Sequence, residues 1–331
     1  MVGSVIRQNE GVGRVSQILG TIDVGTNTAH LLLFSATPNG GIVPLRTETR
    51  YVRLGQGIDA SGEVHPDALE RLRVALSEFG AIAAGAGAER LVTVGTSASR
   101  DSADPDRLVN FVREHTGIEY AIISGEDEAL LTSIGAVSCL DLPNDIRTVV
   151  VDIGGGSTEL TYTHRSDGVM TLDALSSLNV GSVRLTERCF GQLPPTESQV
   201  AEAESTVRTA LEAAAKPVDG EWMMVGAAGT IRALALIVEE AAPGSRPNGQ
   251  PSNLSRSMVG EWRRNLLTRT FDETLALNPA VLAGRADVIA AGVLVLDVVF
   301  DYLGADQCIV SPWGLRHGLA IKVARQLAGL E

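Results

Sequence analysis

The feature that most constrains this chain is a stretch that occurs twice. Val149-Val-Val-Asp-Ile-Gly-Gly-Gly-Ser-Thr-Glu-Leu160 begins as a β-branched run, places Asp152 at its end and breaks into three glycines. The β-branched run reads as a buried strand. Three glycines permit φ above zero and a close approach to a ligand without a Cβ in the way. The amides of Gly154 to Thr158 can then converge as an anion nest. Thr21-Ile-Asp-Val-Gly-Thr-Asn-Thr-Ala-His-Leu31 echoes the stretch at a constant offset, pairing Asp23 with Asp152, Gly25 with Gly154, Thr28 with Ser157 and Leu31 with Leu160. One such turn is a common strand–loop feature. Two, each with Asp at the strand end and hydroxyls in the turn, predict two related halves, and two facing turns would form a cleft.

The 331-residue chain predicts about two units. Its hydrophobic content of 44% fills two cores, and its 20% of charged residues is ordinary for a soluble protein. A net charge of −13 argues against a nucleic-acid binder working through a basic surface. A polyanion would have to be drawn in by a local cluster of arginine, amides and metal, against the global field. The three cysteines are scattered, as are the five histidines, which fits a reducing cytoplasm and not a disulfide framework or a His-ligated zinc site. The longest apolar run, Val288 to Phe300, is too short to span a bilayer, and residues 1–16 read as a flexible leader.

Between the copies, Gly41 to Leu45 and Glu48 to Leu54 read as two strands. Arg50 and Arg53 there read first as solvated, with anion contact as the second reading. A helix opens at His65-Pro66-Asp67, with the apolar stripe Leu69, Leu72, Leu76 and Phe79, and ends in the glycine-rich run Gly80 to Gly87. The strand Leu91 to Val94 leads into Gly95-Thr-Ser-Ala-Ser-Arg-Asp101, a third strand end rich in small donors. Ser97 lies in it. Arg100 sits where its guanidinium could clamp a phosphoryl group. Ser124-Gly-Glu-Asp-Glu-Ala129 opens a helix; its acids suit the helix dipole, and spacing alone does not rank Glu128 above Glu126 or Asp127. A fourth turn, Gly226 to Thr230, contains Gly229 and Thr230 and opens another helix, a ready anion site. Ala242 to Asn253, rich in Pro and Gly, is a loop and a lid candidate. Leu254 to Leu277 reads as mostly helical, and the C-terminal helix, Leu319 to Leu330, returns to the first half.

Taken in order, Ile22-Asp-Val-Gly-Thr-Asn-Thr28, Gly95 to Arg100, Ser124 to Ala129, Val151 to Glu159, Leu178 to Thr186, Gly226 to Thr230, Gly284 to Ile289 and Gly314-Leu-Arg-His-Gly318 resemble the motifs of the exopolyphosphatase / guanosine pentaphosphate phosphohydrolase family. The resemblance runs from about Ile18 to Gly318 and is to the short, two-domain form. It implies an actin-like ATPase superfold: two ribonuclease H-like α/β domains, each a mixed sheet flanked by helices, with a cleft between. On this basis the expected division is a unit of residues 17–131, completed by a C-terminal helix at 316–331, and a second unit of residues 132–315.

The resemblance also singles out Glu128 as the residue that activates water; Arg100 is expected as a second catalytic group, which neutralises the phosphoryl oxygens together with the amides of the turns. Phosphate is expected on Gly25, Thr26, Asn27, Thr28, Ser97, Gly154, Gly155, Gly156, Ser157, Thr158, Gly229 and Thr230, and a metal on Asp23, Asp152 and Glu159. It implies Mg²⁺, with Mn²⁺ as the alternative, and leaves a K⁺ requirement and a homodimer open. The expected reaction is hydrolysis of the terminal phosphate of linear polyphosphate, releasing orthophosphate. Removal of the 5′ phosphate of guanosine pentaphosphate is the sister activity. Two further readings compete, an ATP-dependent kinase and a non-enzymatic polyphosphate or alarmone sensor. The first would phosphorylate an acceptor without hydrolysing polyphosphate; the second would bind without turnover.

Overall fold

A computed structural model of the chain describes residues 17–166, 169–215, 221–240 and 251–330. The expected leader, residues 1–16, and most of the expected lid, residues 242–250, lie outside these. The first half runs β1 (Ile18–Val24), β2 (Thr28–Ala36), β3 (Ile42–Tyr51), α1 (Ile58–Ser61), α2 (Pro66–Gly85), β4 (Arg90–Gly95), α3 (Ser97–Arg100), α4 (Pro105–Thr116), β5 (Tyr120–Ile122) and α5 (Gly125–Ser138). The second runs β6 (Arg147–Ile153), β7 (Thr158–Ser166), β8 (Val169–Leu178), α6 (Ser182–Leu185), a π-helical turn (Thr186–Phe190), α7 (Glu197–Glu212), β9 (Met223–Ala227), α8 (Ala228–Glu240), β10 (Ser252–Ser255), α9 (Arg256–Leu266), α10 (Phe271–Leu275), α11 (Pro279–Leu282), α12 (Ile289–Leu303), β11 (Gln307–Val310) and α13 (Leu315–Leu327).

The first sheet has the order β3-β2-β1-β4-β5 and the second β10-β11-β9-β6-β7-β8. In both, two antiparallel neighbours flank one side of a central strand and parallel strands the other. The β2–β3 pair is bulged at Leu33/Phe34 and the β7–β8 pair at Tyr162/Thr163, separated by the same offset as Asp23 and Asp152. The repeat therefore extends to the irregularities. The second sheet differs by one added antiparallel strand, β10, where the expected lid ends.

Helix α12, IAAGVLVLDVVFDYL, is apolar on nearly every face, and its residues from Ile289 to Leu296 are all buried. It lies against α6, α7, α8 and α9 and fills the larger core. Several boundaries differ from expectation. Gly41–Leu45 and Glu48–Leu54 are largely one strand, β3, which tolerates Pro44 because it is a sheet edge and owes no ladder hydrogen bond there. Helix α2 runs through Gly80 to Gly85, carried by buried Phe79 and Ala83. Residues 254–277 hold two helices and the end of β10.

The helices that follow the last parallel strand of each half exchange partners. Helix α5 packs on β6, β7, β8 and β9 of the second sheet, whereas α13 packs on β1 and β2 of the first. The two cross at glycines: a Cβ on Gly135 would lie 2.8 Å from the Gly318 amide, and one on Gly318 would collide with the Leu131 carbonyl. The expected division between residues 131 and 132 falls inside α5.

Candidate active site

Both repeated hairpins close in the same way, and this limits what their amides can do. Gly25 N–H donates to the Thr28 carbonyl at 2.8 Å and Gly154 N–H to the Ser157 carbonyl at 3.0 Å. Those two amides are consumed by the turns. The amides of Thr26, Asn27, Gly155 and Gly156 have no acceptor among the described residues and remain available to an anion. None of Gly154, Gly155 and Gly156 has a positive φ. Instead, a Cβ on Gly155 would lie 2.8 Å from Thr26 Cβ, and one on Gly156 would lie 2.8 Å from Thr26 Oγ1. These positions are glycine because the opposite turn leaves no room for a side chain.

The turns line a cavity of about 380 Å³. Asp23, Gly25, Thr26, Asn27, Thr28, Ser97, Glu128, Asp152, Gly154, Gly155, Gly156, Ser157, Gly229 and Thr230 all reach it. Five segments far apart in sequence thus meet at one place. Beside Gly229, Ala228 sits at φ +64°, a left-handed conformation rare for a residue with a Cβ and characteristic of functional turns.

Glu128 lies in the first turn of α5, which Ser124 caps by accepting the Asp127 amide at 3.0 Å. Burial raises the Glu128 carboxyl above the ordinary carboxylate range, and Arg100 opposes the shift. Asp23 is pushed up to about 8 by burial, then by Glu128 and Asp152, against the attraction of Arg316. Asp152 is pushed up to about 7 by burial and Glu128, with Thr132 opposing. Burial and the Glu128 charge thus hold Asp23 and Asp152 towards the protonated form.

Three expected site residues do not line the cavity. Arg100 is absent from the cavity wall: its Nη1 donates to Glu128 Oε2 at 2.7 Å and to the Ile123 carbonyl at 3.0 Å, so its guanidinium holds the acid. Thr158 is fully buried, its hydroxyl donating to the Val180 carbonyl at 2.6 Å. Glu159 stands opposite Asp152 in register, but its Oε1 accepts from Ser177 at 2.7 Å and its Oε2 has no partner. Among the described residues no three His, Cys, Asp or Glu side chains form a ready metal cluster, so Asp23, Asp152 and Glu159 are not a preformed cage. Arg50 and Arg53 also bind carboxylates: Arg50 pairs with Glu78 at 2.7 Å, and Arg53 reaches across the halves to Asp287 at 2.7 and 3.1 Å.

Residues that carried no assigned role complete the site. Arg184 is buried, donates to the Gly156 carbonyl at 2.7 Å and pairs with Asp59 and Asp101 of the other half. On the opposite rim Asn27 Nδ2 donates to the Gly284 carbonyl at 3.0 Å. Arg232, Arg285 and Arg316 line the cavity itself. Each follows a glycine at or near the start of an element, in Gly229-Thr-Ile-Arg232, Gly284-Arg285 and Gly314-Leu-Arg316, and that shared placement was the available signal.

Residues 34–326 match the model of the Ppx/GppA phosphatase family. Exopolyphosphatase 2 of Mycobacterium tuberculosis is 34% identical over 320 residues, covering 92% of this chain and 98% of that protein. The guanosine-5′-triphosphate,3′-diphosphate pyrophosphatase of Photobacterium profundum is 27% identical over 315 residues, covering 95% of this chain and 60% of that protein. The crystal structure of the Aquifex aeolicus Ppx/GppA family member superposes with a TM-score of 0.75 at 26% identity, covering 94% of this chain and 98% of that one. With the duplicated sheets, the facing turns and this match over most of its length, the chain belongs to the Ppx/GppA phosphatase family and has its two-domain, actin-like α/β fold.

Proposed function

We propose that the protein is an exopolyphosphatase that hydrolyses the terminal phosphoanhydride of linear polyphosphate. The observation that carries this reading is the buried acid Glu128 at the wall of a cavity whose turns present four free amides. The terminal phosphoryl group sits between the turns, with the amides of Thr26, Asn27, Gly155 and Gly156 on its oxygens. Arg100 fixes the Glu128 carboxylate, which orients a water and takes its proton. The water oxygen bonds to phosphorus as the bridging P–O bond breaks in line, and the electron pair leaves with the shortened chain. Most of the work is positioning and charge stabilisation.

A divalent cation fits the donors present. Mg²⁺ is commonly held by one or two carboxylates together with substrate oxygens. Asp23 and Asp152 line the cavity, and their ionised forms are disfavoured there by burial and Glu128. These two would hold the metal, with Glu159 behind Asp152, and when bound it would polarise phosphate oxygens and offset their charge. Mn²⁺ is the alternative ion, and K⁺ dependence belongs to the same proposal. The similarity to a guanosine pentaphosphate phosphohydrolase supports that substrate as a second one for the same turns. We place the division between the two walls of the clamp at the start of α5, since that helix lies on the second sheet. No helix among the described residues is long and apolar enough to cross a membrane, and the three cysteines are free, which supports a cytoplasmic setting.

Glu128→Gln tests the assignment. It should lower kcat by about 10²–10⁴-fold, the usual contribution of a general base, while tripolyphosphate binding measured by calorimetry persists. Orthophosphate release near the wild-type rate would remove Glu128 from the mechanism.

A further inference from the structure

The glycine turn of the second half presents its amides because its carbonyls are held from behind. In a trans peptide the carbonyl of one residue and the amide of the next point in opposite directions. The Gly154 carbonyl accepts from the Ser182 amide at 2.9 Å, and the Gly155 carbonyl accepts from the amides of Val183 and Arg184 at 2.8 and 3.0 Å. The backbone at the start of α6 thereby sets the direction of the Gly155 and Gly156 amides. It comes this close because residue 181 is glycine: a Cβ there would lie 2.6 Å from the Gly155 carbonyl and from the Ser157 nitrogen. The third peptide, Gly156–Ser157, is held differently. Among the described residues its carbonyl accepts from no backbone amide, only from Arg184 Nε at 2.7 Å. The Ser157 amide, at the other end of that peptide, has no acceptor among the described residues, and Ser157 lines the cavity. The rest of the buried Arg184 guanidinium leaves the second half: Nη1 pairs with Asp59 and Nη2 with Asp101. Asp101 also accepts from the Ser97 hydroxyl at 3.2 Å, and Ser97 stands on the cavity wall of the first half. A chain of contacts thus runs from Ser97 through Asp101 and Arg184 to the Gly156 carbonyl.

We propose that Arg184 is a positioning residue, which aims the Ser157 amide at the phosphoryl group and does so only while the first half supplies Asp59 and Asp101. The proposal rests on the reading above and adds a condition to it: the clamp gains a further donor when its two walls meet. The planar fork is needed for this, because Nε, Nη1 and Nη2 are engaged at once in fixed directions, which a single ammonium cannot match. A donor fixed in advance towards developing charge raises kcat more than it lowers KM.

Amide ¹H–¹⁵N spectra recorded during titration with orthophosphate test the aim without turnover. In wild type the Gly155, Gly156 and Ser157 resonances should all move downfield. In Arg184→Met the Ser157 response should be lost while those of Gly155 and Gly156 persist, because the α6 backbone holds their peptides independently. A residue that only stabilises the fold would change all three together. With tripolyphosphate, the kcat of Arg184→Met should fall about 10²-fold, the usual cost of one donor to developing charge, with KM within about threefold of wild type. Asp101→Asn, at a partly exposed position, tests the link to the first half and carries the test alone if Arg184→Met does not fold. Its Ser157 response should weaken and its kcat should fall about tenfold, as expected for a misplaced donor. Arg188→Gln is the control: it removes another pair to Asp59 that reaches no turn, and should leave kcat and the three resonances unchanged. If the amides respond in wild type but no orthophosphate is released from polyphosphate, the hydrolase reading fails and the positioning role stands. A full Ser157 response in Arg184→Met, an unchanged kcat in Asp101→Asn, an equal loss in Arg188→Gln, or no amide response in wild type overturns it.

Discussion

Helices α5 and α13 hold equivalent places in the two halves, each following the last parallel strand and crossing to the other sheet, yet their first turns carry opposite chemistry. The start of α5 obeys every local rule: Ser124 caps it, and Glu126, Asp127 and Glu128 suit the positive end of the helix dipole. The start of α13 departs from them. It has no acidic residue, begins at Gly314 and places Arg316 at the end where a cation is disfavoured. Its cap is a neutral histidine: the Gly314 amide donates to His317 Nδ1 at 3.3 Å, and the ring stacks on Trp313 with centroids 4.8 Å apart. Burial lowers the His317 pKa to about 2, with Arg316 and Arg232 adding to the shift, so no charge forms at the cap in the neutral range. One helix brings a carboxylate to the cavity and its counterpart brings a guanidinium. The end that follows the stability rules is legible from sequence, and the end that breaks them is not.

The largest expected effect comes from separating the two helices. Gly318→Val would drive a side chain into the Leu131 carbonyl at the crossing. A loss of about 3 kcal/mol or more is expected, since a backbone collision leaves no rotamer that relieves it; denaturant unfolding measures it. Gly80→Ala is the control, because its methyl meets only Ile118 Cδ1 at 3.5 Å inside a helix, and it should be neutral or stabilising. Equal losses in the two would remove the crossing as a special contact. A smaller and more specific effect is expected at the acid end. Arg100 lowers the Glu128 pKa, and the base works ionised. Arg100→Gln should therefore move the acid limb of the kcat profile to higher pH and lower kcat by about tenfold, near one pKa unit of lost interaction. An unshifted acid limb would confine Arg100 to packing.

The repeated hairpins were legible because the chain states them twice and β6 is a β-branched run that ends in glycines. Glu128 was legible only through family resemblance, because Glu126 and Asp127 satisfy the same helix-end rules. Arg100, Thr158 and Glu159 stand back from the cavity wall, which sequence adjacency does not reveal because it does not say where a side chain ends. Each satisfies a neighbour, Glu128, the Val180 carbonyl and Ser177, before it reaches the cavity. The cavity arginines were missed for the converse reason. They lie in three separate segments, in α8, ahead of α12 and in α13, and only the fold brings them to one cavity.

Orthophosphate release from long polyphosphate, tripolyphosphate, guanosine pentaphosphate, ATP and a simple phosphomonoester, each with and without Mg²⁺, tests the central claim most directly. Terminal phosphate should be released from the condensed phosphates only when Mg²⁺ is present, with the monoester left intact. Comparable turnover of the monoester, or ATP-dependent phosphorylation of an acceptor with no polyphosphate hydrolysis, would contradict the account.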